Sequence, residues 1–327
     1  MTDAAVLLLR MQDQRPSFRR CQTDQQRSKA IEMPAPVFYI KTPAYSPLSG
    51  GIRACHILCD EMNRLGYETY VDAATFVSGT LWTPMLTSEI IRAHRKADRR
   101  PIAIYPEIYT DNDLNCDRVI RYLLNRPGVF SASDPDATNA FWHSPSRNSE
   151  FIIHYAEEFR VPHLNSMLLY TPIVDERIFF EETGAERAGF LVYSNRREVR
   201  DAMVPDWARP YVLISMASPR SPQELAHLYR RSRGLILFER TGARMEASLC
   251  GCPVVAIPSE SFSQLPGFHL YGNLGLGWGA DVEQLHWAQR TLGPLQRAYR
   301  AHARAYPAYL ADVVEAGLRF FADRSGD

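Results

Sequence analysis

From Val37 onward, short runs of apolar residues alternate with longer stretches in which apolar residues recur every three or four positions. Short apolar runs bounded by turn residues are typical of buried strands, and the wider spacing is typical of helices that bury one face. The first such pair is a strand at 37–40 and a helix at 52–65 that ends before Gly66. Strands that alternate with helices predict a parallel sheet covered by helices on both faces.

This alternation occurs twice along the chain, which predicts an α/β protein with two Rossmann-like, doubly wound domains. In the first half, the pattern predicts further strands at 67–71, 102–105, 128–131, 151–154 and 167–170, and helices at 84–97 and 113–125. In the second half, it predicts strands at 189–194, 211–215, 234–238 and 253–257, and helices at 221–232 and 243–250. We expect a flexible tail at 1–35, a first domain at 36–175, a second domain at 176–293 and C-terminal helices at 294–327.

The last segment has an apolar stripe that begins after Pro307, which predicts a final helix that docks on another part of the protein. The stripe consists of Leu310, Val313, Val314, Leu318 and Phe321. Just before it, arginines are interleaved with aromatic residues, namely Arg290, Arg297, Arg300 and Arg304 with Trp287, Tyr299 and Tyr306. This mixture fits either interdomain packing or peripheral contact with an anionic membrane surface.

Composition excludes several classes of function. The 327 residues carry 37 Lys and Arg against 37 Asp and Glu, so the chain lacks the long-range positive field of a general nucleic-acid binder. Lysine occurs only at Lys29, Lys41 and Lys96. Because the second half has none, chemistry that needs a lysine Schiff base there, including that of pyridoxal-phosphate phosphorylases, is excluded.

The apolar runs and the cysteines indicate the compartment. No apolar run approaches the roughly 20 residues of a membrane-spanning helix, and the first one, at 4–9, follows no basic segment. The six cysteines have the spacing of neither a disulfide framework nor a zinc knuckle. We therefore expect a cytoplasmic protein with buried thiols. A metal site that joins the Cys55-x3-Cys59 and Cys250-x-Cys252 pairs through His56 is the alternative.

Two segments of the first half place chemistry just after a strand, where parallel sheets bind ligands. Gly50 and Gly51 lead into the first helix and precede Arg53, so backbone N–H groups at the helix start could meet a phosphate or sugar oxygen. A plain tight turn fits equally well. Glu107 follows the third strand and is either a carboxylate in the ligand crevice or an exposed turn residue.

The most informative segment is 235–255, L-I-L-F-E-R-T-G-A-R-M-E-A-S-L-C-G-C-P-V-V. A strand ends at Phe238, a polar loop spans 239–242, and a helix from Ala243 carries Glu246 on its first turn. A carboxylate there can accept hydrogen bonds from two ribose hydroxyls, or it can simply interact with the helix dipole.

The run E-A-x-x-x-G-x-P-V-V at 246–255, together with G-G-I-R at 50–53, resembles the nucleotide-sugar glycosyltransferases of the GT-B fold. The resemblance is to the large retaining family that includes bacterial polysaccharide and lipopolysaccharide transferases, and it extends from about residue 36 to the end of the chain. It implies two domains that face a cleft, the first for the acceptor and the second for the donor. It also implies that the C-terminal helix crosses back onto the first domain.

The resemblance implies roles for residues of the second domain. Glu246 would hold the nucleotide ribose, and Glu239 would contact the donor sugar. Backbone N–H groups at Thr241 and Gly242 would bind the diphosphate, and Gly50, Gly51 and Arg53 would face the donor from the first domain. Arg196 would neutralise the leaving diphosphate, helped by Arg197 or Arg200 where the family has a lysine.

The implied reaction is a metal-independent, retaining transfer of a sugar to a glycan or lipid-linked acceptor, with no cofactor beyond the nucleotide-sugar substrate. Two alternatives stay open. One is an inverting GT-B transferase with Glu107 as the base, and the other is a non-catalytic protein that binds a sugar nucleotide or a glycan.

Two further patterns are interpreted as turns and loops. The D-x-D triplets at 111–113 and 134–136 match the metal-binding pattern of GT-A transferases but have the composition of turns. The glycine cluster at 272–279 lacks the spacing of a dinucleotide fingerprint, which makes hydride transfer an unfavoured hypothesis.

Overall fold

The computed structural model describes residues 36–73, 80–129, 135–195, 198–215, 217–260, 262–263 and 267–324. These residues belong to one compact unit that begins at Pro36. The predicted tail at 1–35 lies outside the described residues.

The first half contains a six-stranded sheet in the order β2-β1-β3-β4-β5-β6, in which every strand pairing is parallel. Its strands are β1 Val37–Lys41, β2 Glu68–Asp72, β3 Ile102–Pro106, β4 Arg118–Leu123, β5 Phe151–His154 and β6 Ser166–Leu168. Its helices are α1 Gly50–Arg64, α2 Ser88–Lys96 and α3 Pro135–His143.

The second half contains a five-stranded parallel sheet in the order β11-β10-β9-β7-β8. Its strands are β7 Phe190–Tyr193, β8 Tyr211–Ile214, β9 Leu235–Leu237, β10 Val254–Ala256 and β11 Leu276–Trp278. Its helices are α4 Pro222–Arg231, α5 Ala243–Leu249, α6 Phe268–Tyr271 and α7 Val282–Asp323. Short 3-10 helices occur at Pro145–Ser149, Glu157–Phe159, Asp201–Met203 and Asp206–Ala208. The expectation of two Rossmann-like, doubly wound halves is confirmed.

The helix expected at 113–125 is wrong, because that segment contains strand β4. Its central residue, Arg121, is 1% exposed, and its guanidinium donates to both carboxylate oxygens of Glu150 at 3.1 Å. It also donates to the backbone oxygens of Tyr109 at 2.7 Å and Asp111 at 3.2 Å. A strand can bury this charge because the guanidinium donates hydrogen bonds to oxygens of residues outside the strand.

Helix α1 begins at the glycine pair, directly after β1. The Ser49 hydroxyl caps it by accepting from the backbone N–H of Ile52 at 3.4 Å. Gly66 follows the helix with φ of +89°, a left-handed conformation that glycine adopts without strain. The cap and the stop together place the first turn of α1, with Gly50 and Gly51, at the carboxyl edge of the first sheet.

Helix α7 crosses from the second half to the first, as expected. Leu295 packs in the same core cluster as strands of the second half, whereas Leu310 and Val313 pack with strands of the first. The helix is continuous from Val282 through Pro307 to Asp323, so the expectation of a final helix that begins after Pro307 is wrong. Well-packed residues on both sides of the proline hold the helix together despite the lost N–H donor.

Tyr299 and Tyr306 of α7 pack inside the protein. Tyr299 and Tyr306 are 1% and 3% exposed. The Tyr299 hydroxyl accepts from the backbone N–H of Val174 at 3.1 Å, and Arg300 pairs with Glu176 at 2.7 Å. These tyrosines are therefore buried away from any membrane surface. Among the described residues, no helix is both long and apolar enough to cross a membrane.

Candidate active site

A cleft of about 1030 Å³ lies between the two halves. Its walls come from the loops that follow β1, β3 and β4 on one side and β7, β8 and β9 on the other. These are the carboxyl ends of parallel strands, where doubly wound sheets bind ligands. The cleft is therefore the candidate active site.

A buried ion pair joins the two halves across this cleft. Arg53 of α1 contacts Glu246 of α5 through its Nη2 atom, 2.7 Å from Oε1. Arg53 is 8% exposed and Glu246 is 6% exposed. Burial acts to lower the pKa of Arg53, but the charge and hydrogen bond of Glu246 outweigh it and raise that pKa. The described residues give the Glu246 side chain no other polar partner, so one carboxylate oxygen remains for a ligand.

Gly242 lies against this ion pair. A Cβ atom at Gly242 would lie 3.4 Å from Nη2 of Arg53 and 3.5 Å from Cδ1 of Ile173. Both are ordinary van der Waals distances, so Gly242 packs directly against the ion pair. In the same loop, the Thr241 hydroxyl accepts from the backbone N–H of Ala243 at 3.2 Å and so fixes the start of α5. Thr241 and Gly242, which the resemblance assigns to the diphosphate of the donor, both line the cleft.

Glu239 connects two loops of the second half. Its Oε1 accepts from the backbone N–H of Asn195 at 3.0 Å, and the side chain is buried in the cleft wall. This contact ties the loop after β9 to the loop after β7. Arg196 and Arg197 come directly after Asn195 and lie outside the described residues.

Glu107 lies at the end of β3 in the first-half wall and is buried, which rules out the exposed turn residue. Burial raises its pKa to about 7, although hydrogen bonds from backbone N–H groups, including that of Leu124 at 2.9 Å, act in the opposite direction. The carboxyl is therefore close to half ionised at neutral pH, the range in which a general base works best.

The glycine pair lies in the cleft wall at the first turn of α1. A Cβ at Gly50 would lie 3.2 Å from Cδ1 of Ile173, which leaves little space. A Cβ at Gly51 would lie 3.8 Å from Cδ1 of Leu124, an ordinary contact. Packing within the protein therefore requires a small residue at 50 more than at 51.

Several other sequence candidates lie away from the cleft. Arg200 is exposed and is not among the residues that line it. Asp113 pairs with Lys41 at 2.7 Å, and neither it nor Asp111 lines the cleft. Asp134 lies outside the described residues, and the side chain of Asp136 is not described.

Cysteines and metal ligands give no further site. Within the described ranges, no group of three His, Cys, Asp or Glu side chains has the arrangement of a metal site. Cys55, Cys59, Cys250 and Cys252 are buried, and burial raises the pKa of the Cys55 and Cys252 thiols to about 12. They are packing residues, as expected.

Sequence reasoning missed Arg244, which lines the cleft from the first turn of α5. Its Nη2 donates to the backbone oxygen of Leu274 at 3.4 Å. Burial lowers its pKa to about 10, so the guanidinium still carries a positive charge at neutral pH. The sequence signal was its position two residues before Glu246, but an arginine on a short helix is more often on the surface.

Sequence reasoning also missed Glu158, which links the two halves at another point of the cleft. Its carboxylate lies 3.5 Å from Arg240 and 3.5 Å from His269, and it accepts from the backbone N–H of Gly267 at 3.1 Å. Burial acts to raise its pKa, but His269 and Gly267 outweigh it and lower that pKa to about 2.

Comparison with solved structures identifies the architecture. A glycosyltransferase from Rickettsia africae ESF-5 superposes with a TM-score of 0.54 at 10% identity, covering 88% of this chain and 99% of that one. WaaG, a glycosyltransferase involved in lipopolysaccharide biosynthesis, gives 0.50 at 12% identity, covering 85% and 99%. The chain has the GT-B fold. At these identities the likeness shows the fold alone. No protein-family model matches the chain, and no curated protein matches its sequence significantly.

Proposed function

We propose that this GT-B protein is a glycosyltransferase that moves a sugar from a nucleotide-sugar donor to an acceptor hydroxyl in the cleft. The observation that carries the proposal is the composition of the cleft walls. Glu239 and Glu246 line it from the second half, and Gly50, Gly51 and Arg53 line it from the first. Gly50, Gly51 and Arg53 belong to the G-G-I-R motif and Glu246 opens the E-A-x-x-x-G-x-P-V-V motif, the two motifs on which the resemblance rests.

In this proposal, the second half holds the donor. The free oxygen of Glu246 accepts hydrogen bonds from the ribose hydroxyls while Arg53 holds the other. Glu239, fixed by the Asn195 N–H, contacts the sugar. Arg53 and Arg244 supply buried positive charge near the diphosphate, where charge-assisted contacts are strong. Arg196 stays a candidate for the same role.

The acceptor oxygen forms a bond to the anomeric carbon as the bond from that carbon to the diphosphate oxygen breaks. The nucleotide diphosphate leaves with the electron pair, and the positive charge of the arginines stabilises it. For retention, the acceptor attacks from the face of the departing phosphate, which takes the acceptor proton. The products are a glycoside and a nucleotide diphosphate.

A second candidate is an inverting transfer in which Glu107 takes the acceptor proton. The observation that favours it is a buried carboxyl in the cleft wall with a pKa raised to about 7 by burial. The anomeric configuration of the product, measured by NMR from a donor of known configuration, separates the two mechanisms.

Donor binding tests the proposal directly. A ligand that binds the native state raises its stability, by about 2.7 kcal/mol at a concentration of 100 Kd. We expect one member of a panel of UDP, GDP, dTDP, ADP and CMP sugars to raise the melting temperature. Binding without transfer or hydrolysis would favour the non-catalytic alternative, and no shift with any member would contradict the proposal.

Gly51→Val should weaken binding of the nucleotide sugar. Its branched side chain enters the cleft where the backbone must approach the ligand, whereas the nearest protein atom leaves room for a Cβ. We expect about tenfold weaker binding, which corresponds to about 1.4 kcal/mol, and a melting temperature within a few degrees. Gly293→Val, on α7 and outside the cleft, is the matched control. Unchanged binding by the Gly51 variant would leave only the tight-turn interpretation.

Activity should persist in EDTA, because arginine charge takes the part that a metal ion has in GT-A transferases. Asp113 is held by Lys41 outside the cleft. Transfer rates with and without EDTA should agree within error. A loss that manganese or magnesium restores would instead assign a metal role to the D-x-D triplets.

A further inference from the structure

The carboxylate of Glu158 contacts three groups of the second half. Glu158 belongs to the 3-10 helix Glu157–Phe159, which follows β5 of the first half. Its Oε1 lies 3.5 Å from Nη1 of Arg240 and accepts from the backbone N–H of Gly267 at 3.1 Å. Its Oε2 lies 3.5 Å from Nδ1 of His269. Both carboxylate oxygens of a first-half residue are therefore engaged by the second half.

One of these contacts is with the loop that the resemblance assigns to the donor. This loop spans residues 239–242, and we call it the donor loop. All four of its residues line the cleft, and so does Glu158. Gly242 packs against Arg53, and Arg240 pairs with Glu158. The first half therefore contacts the donor loop at two points, of which Glu158 is one.

Gly267 connects Glu158 with a second arginine of the cleft. Gly267 directly precedes α6 and has φ of +63°, a left-handed conformation that glycine adopts without strain. A Cβ at Gly267 would lie 3.6 Å from Nη1 of Arg244. The hydrogen bond to Glu158 therefore fixes a stretch of backbone that lies against Arg244.

The Glu158 carboxylate also offsets a repulsion between the two halves. Arg126, which follows β4, lines the cleft from the first half, and its Nε donates to the backbone oxygen of Glu158 at 3.0 Å. Burial lowers the pKa of Arg240 and the charge of Arg126 lowers it further, whereas the Glu158 carboxylate acts to raise it. Without this carboxylate, two guanidiniums on opposite halves would repel each other.

We propose, building on the transferase function above, that Glu158 is a positioning residue for the donor site. From the first half, it holds Arg240 of the donor loop and the backbone beside Arg244. It thereby keeps both guanidiniums where the diphosphate of the donor binds. Its effect on the donor is carried by these two arginines and not by a direct contact.

Calorimetry with UDP, GDP, dTDP and ADP tests the proposal, and the variants are compared on the nucleotide that the parent protein binds. We expect Glu158→Ala to weaken that binding about tenfold, an effect of the size seen within one contact network. Glu157→Ala is the matched control, because Glu157 pairs with His154 at 3.3 Å inside the first half and does not line the cleft. Unchanged nucleotide binding by Glu158→Ala would overturn the proposal.

Glu158→Asp separates position from charge. Aspartate keeps the negative charge, but it is one methylene shorter and cannot keep all three contacts at 3.1–3.5 Å. We therefore expect weaker nucleotide binding by the Asp variant as well. A carboxylate that acted by its charge alone would repel the diphosphate, so Glu158→Ala would tighten binding and Glu158→Asp would leave it unchanged. Either result would overturn the proposal.

A double-mutant cycle with Arg240→Met tests the route of the effect. If Glu158 acts through Arg240, Glu158→Ala should weaken nucleotide binding less in the Arg240→Met protein than in the parent protein. Full additivity of the two effects would mean that Glu158 acts independently of the donor loop and would overturn the proposed route.

Hydrogen exchange of the ligand-free protein distinguishes failure of this inference from failure of the transferase function. We expect Glu158→Ala to speed the exchange of backbone N–H groups in the donor loop and at Gly267 about tenfold, because the contacts that hold them are lost. If exchange rises but no nucleotide binds the parent protein, Glu158 holds the loop and the transferase proposal fails. If sugar is transferred but Glu158→Ala changes neither exchange nor nucleotide binding, the transferase proposal stands and this inference fails.

Discussion

Glu246→Ala should lower the free energy of unfolding by about 3–5 kcal/mol, the usual effect of removing one partner of a buried ion pair. The remaining guanidinium of Arg53 would be buried with its charge uncompensated. Urea denaturation measures the loss. A double-mutant cycle with Arg53→Ala isolates the coupling, because removing both groups also removes the uncompensated charge.

The exposed pair Arg319 and Glu315 on α7 provides the control. Glu315→Ala should change the unfolding free energy by less than about 1 kcal/mol, as is typical of surface pairs. Glu246→Gln keeps the shape of the side chain and can still accept from Arg53, but it removes the negative charge, so we expect a smaller loss of stability than with Glu246→Ala. It should still weaken binding of the nucleotide diphosphate. Full stability of the Glu246→Ala variant would mean that the halves do not form this pair in solution.

The two parallel sheets could be predicted because central strands of such sheets are apolar on both faces. Phe38 and Ile40 of β1 are fully buried, and Val254 and Val255 of β10 are too. Such runs stand out against amphipathic helices without any knowledge of tertiary contacts.

Strand β4 could not be predicted in the same way. Arg121 interrupts its apolar run and produces a spacing that imitates a helix. Arg121 can be buried in a strand because it donates to Glu150, which lies 29 positions further along the chain. A local pattern contains no information about a partner at that distance.

Strand β11 was not predicted from the sequence, for a different reason. It lies within the glycine cluster at 272–279, which was interpreted as a loop. A Cβ at Gly277 would lie 2.4 Å from the backbone oxygen of Gln284, so the glycine is required by the close approach of α7. Glycine selected for such an approach looks like a turn signal in the sequence.

The candidate site shows the same division between local and distant information. The pattern of segment 235–255 placed Glu239 and Gly242 in a polar loop and Glu246 on the helix that follows, and all three line the cleft. The pairing of Glu246 with Arg53 joins residues 193 positions apart.

Glu107→Gln should remove a pH dependence of stability. In the folded protein, burial raises the Glu107 pKa from 4.5 to about 7. Below pH 4.5, the carboxyl is protonated in both the folded and the unfolded state, so it does not change the free energy of unfolding. As pH rises to about 7, the unfolded state releases the proton first, so stability falls by about 3 kcal/mol and then levels off.

The difference in unfolding free energy between the Gln variant and the parent protein should therefore grow by about 3 kcal/mol from pH 4 to pH 8, in favour of the variant. The other carboxyls are common to both proteins and cancel in this difference. A constant difference across this range would mean that Glu107 is solvated and has an ordinary pKa.

The same variant decides the role of Glu107 in transfer. If the carboxylate takes the acceptor proton, kcat/KM of the parent protein rises with pH up to about 7, because only the ionised form is a base. Glu107→Gln should then lose that rise and about 10²- to 10⁴-fold in turnover, the usual contribution of a general base. In a retaining transfer, the departing phosphate takes the proton instead, and turnover should stay within a few-fold. The kinetic constants of the variant separate the two roles that Glu107 could have, since a residue that only positions the acceptor would change KM more than kcat.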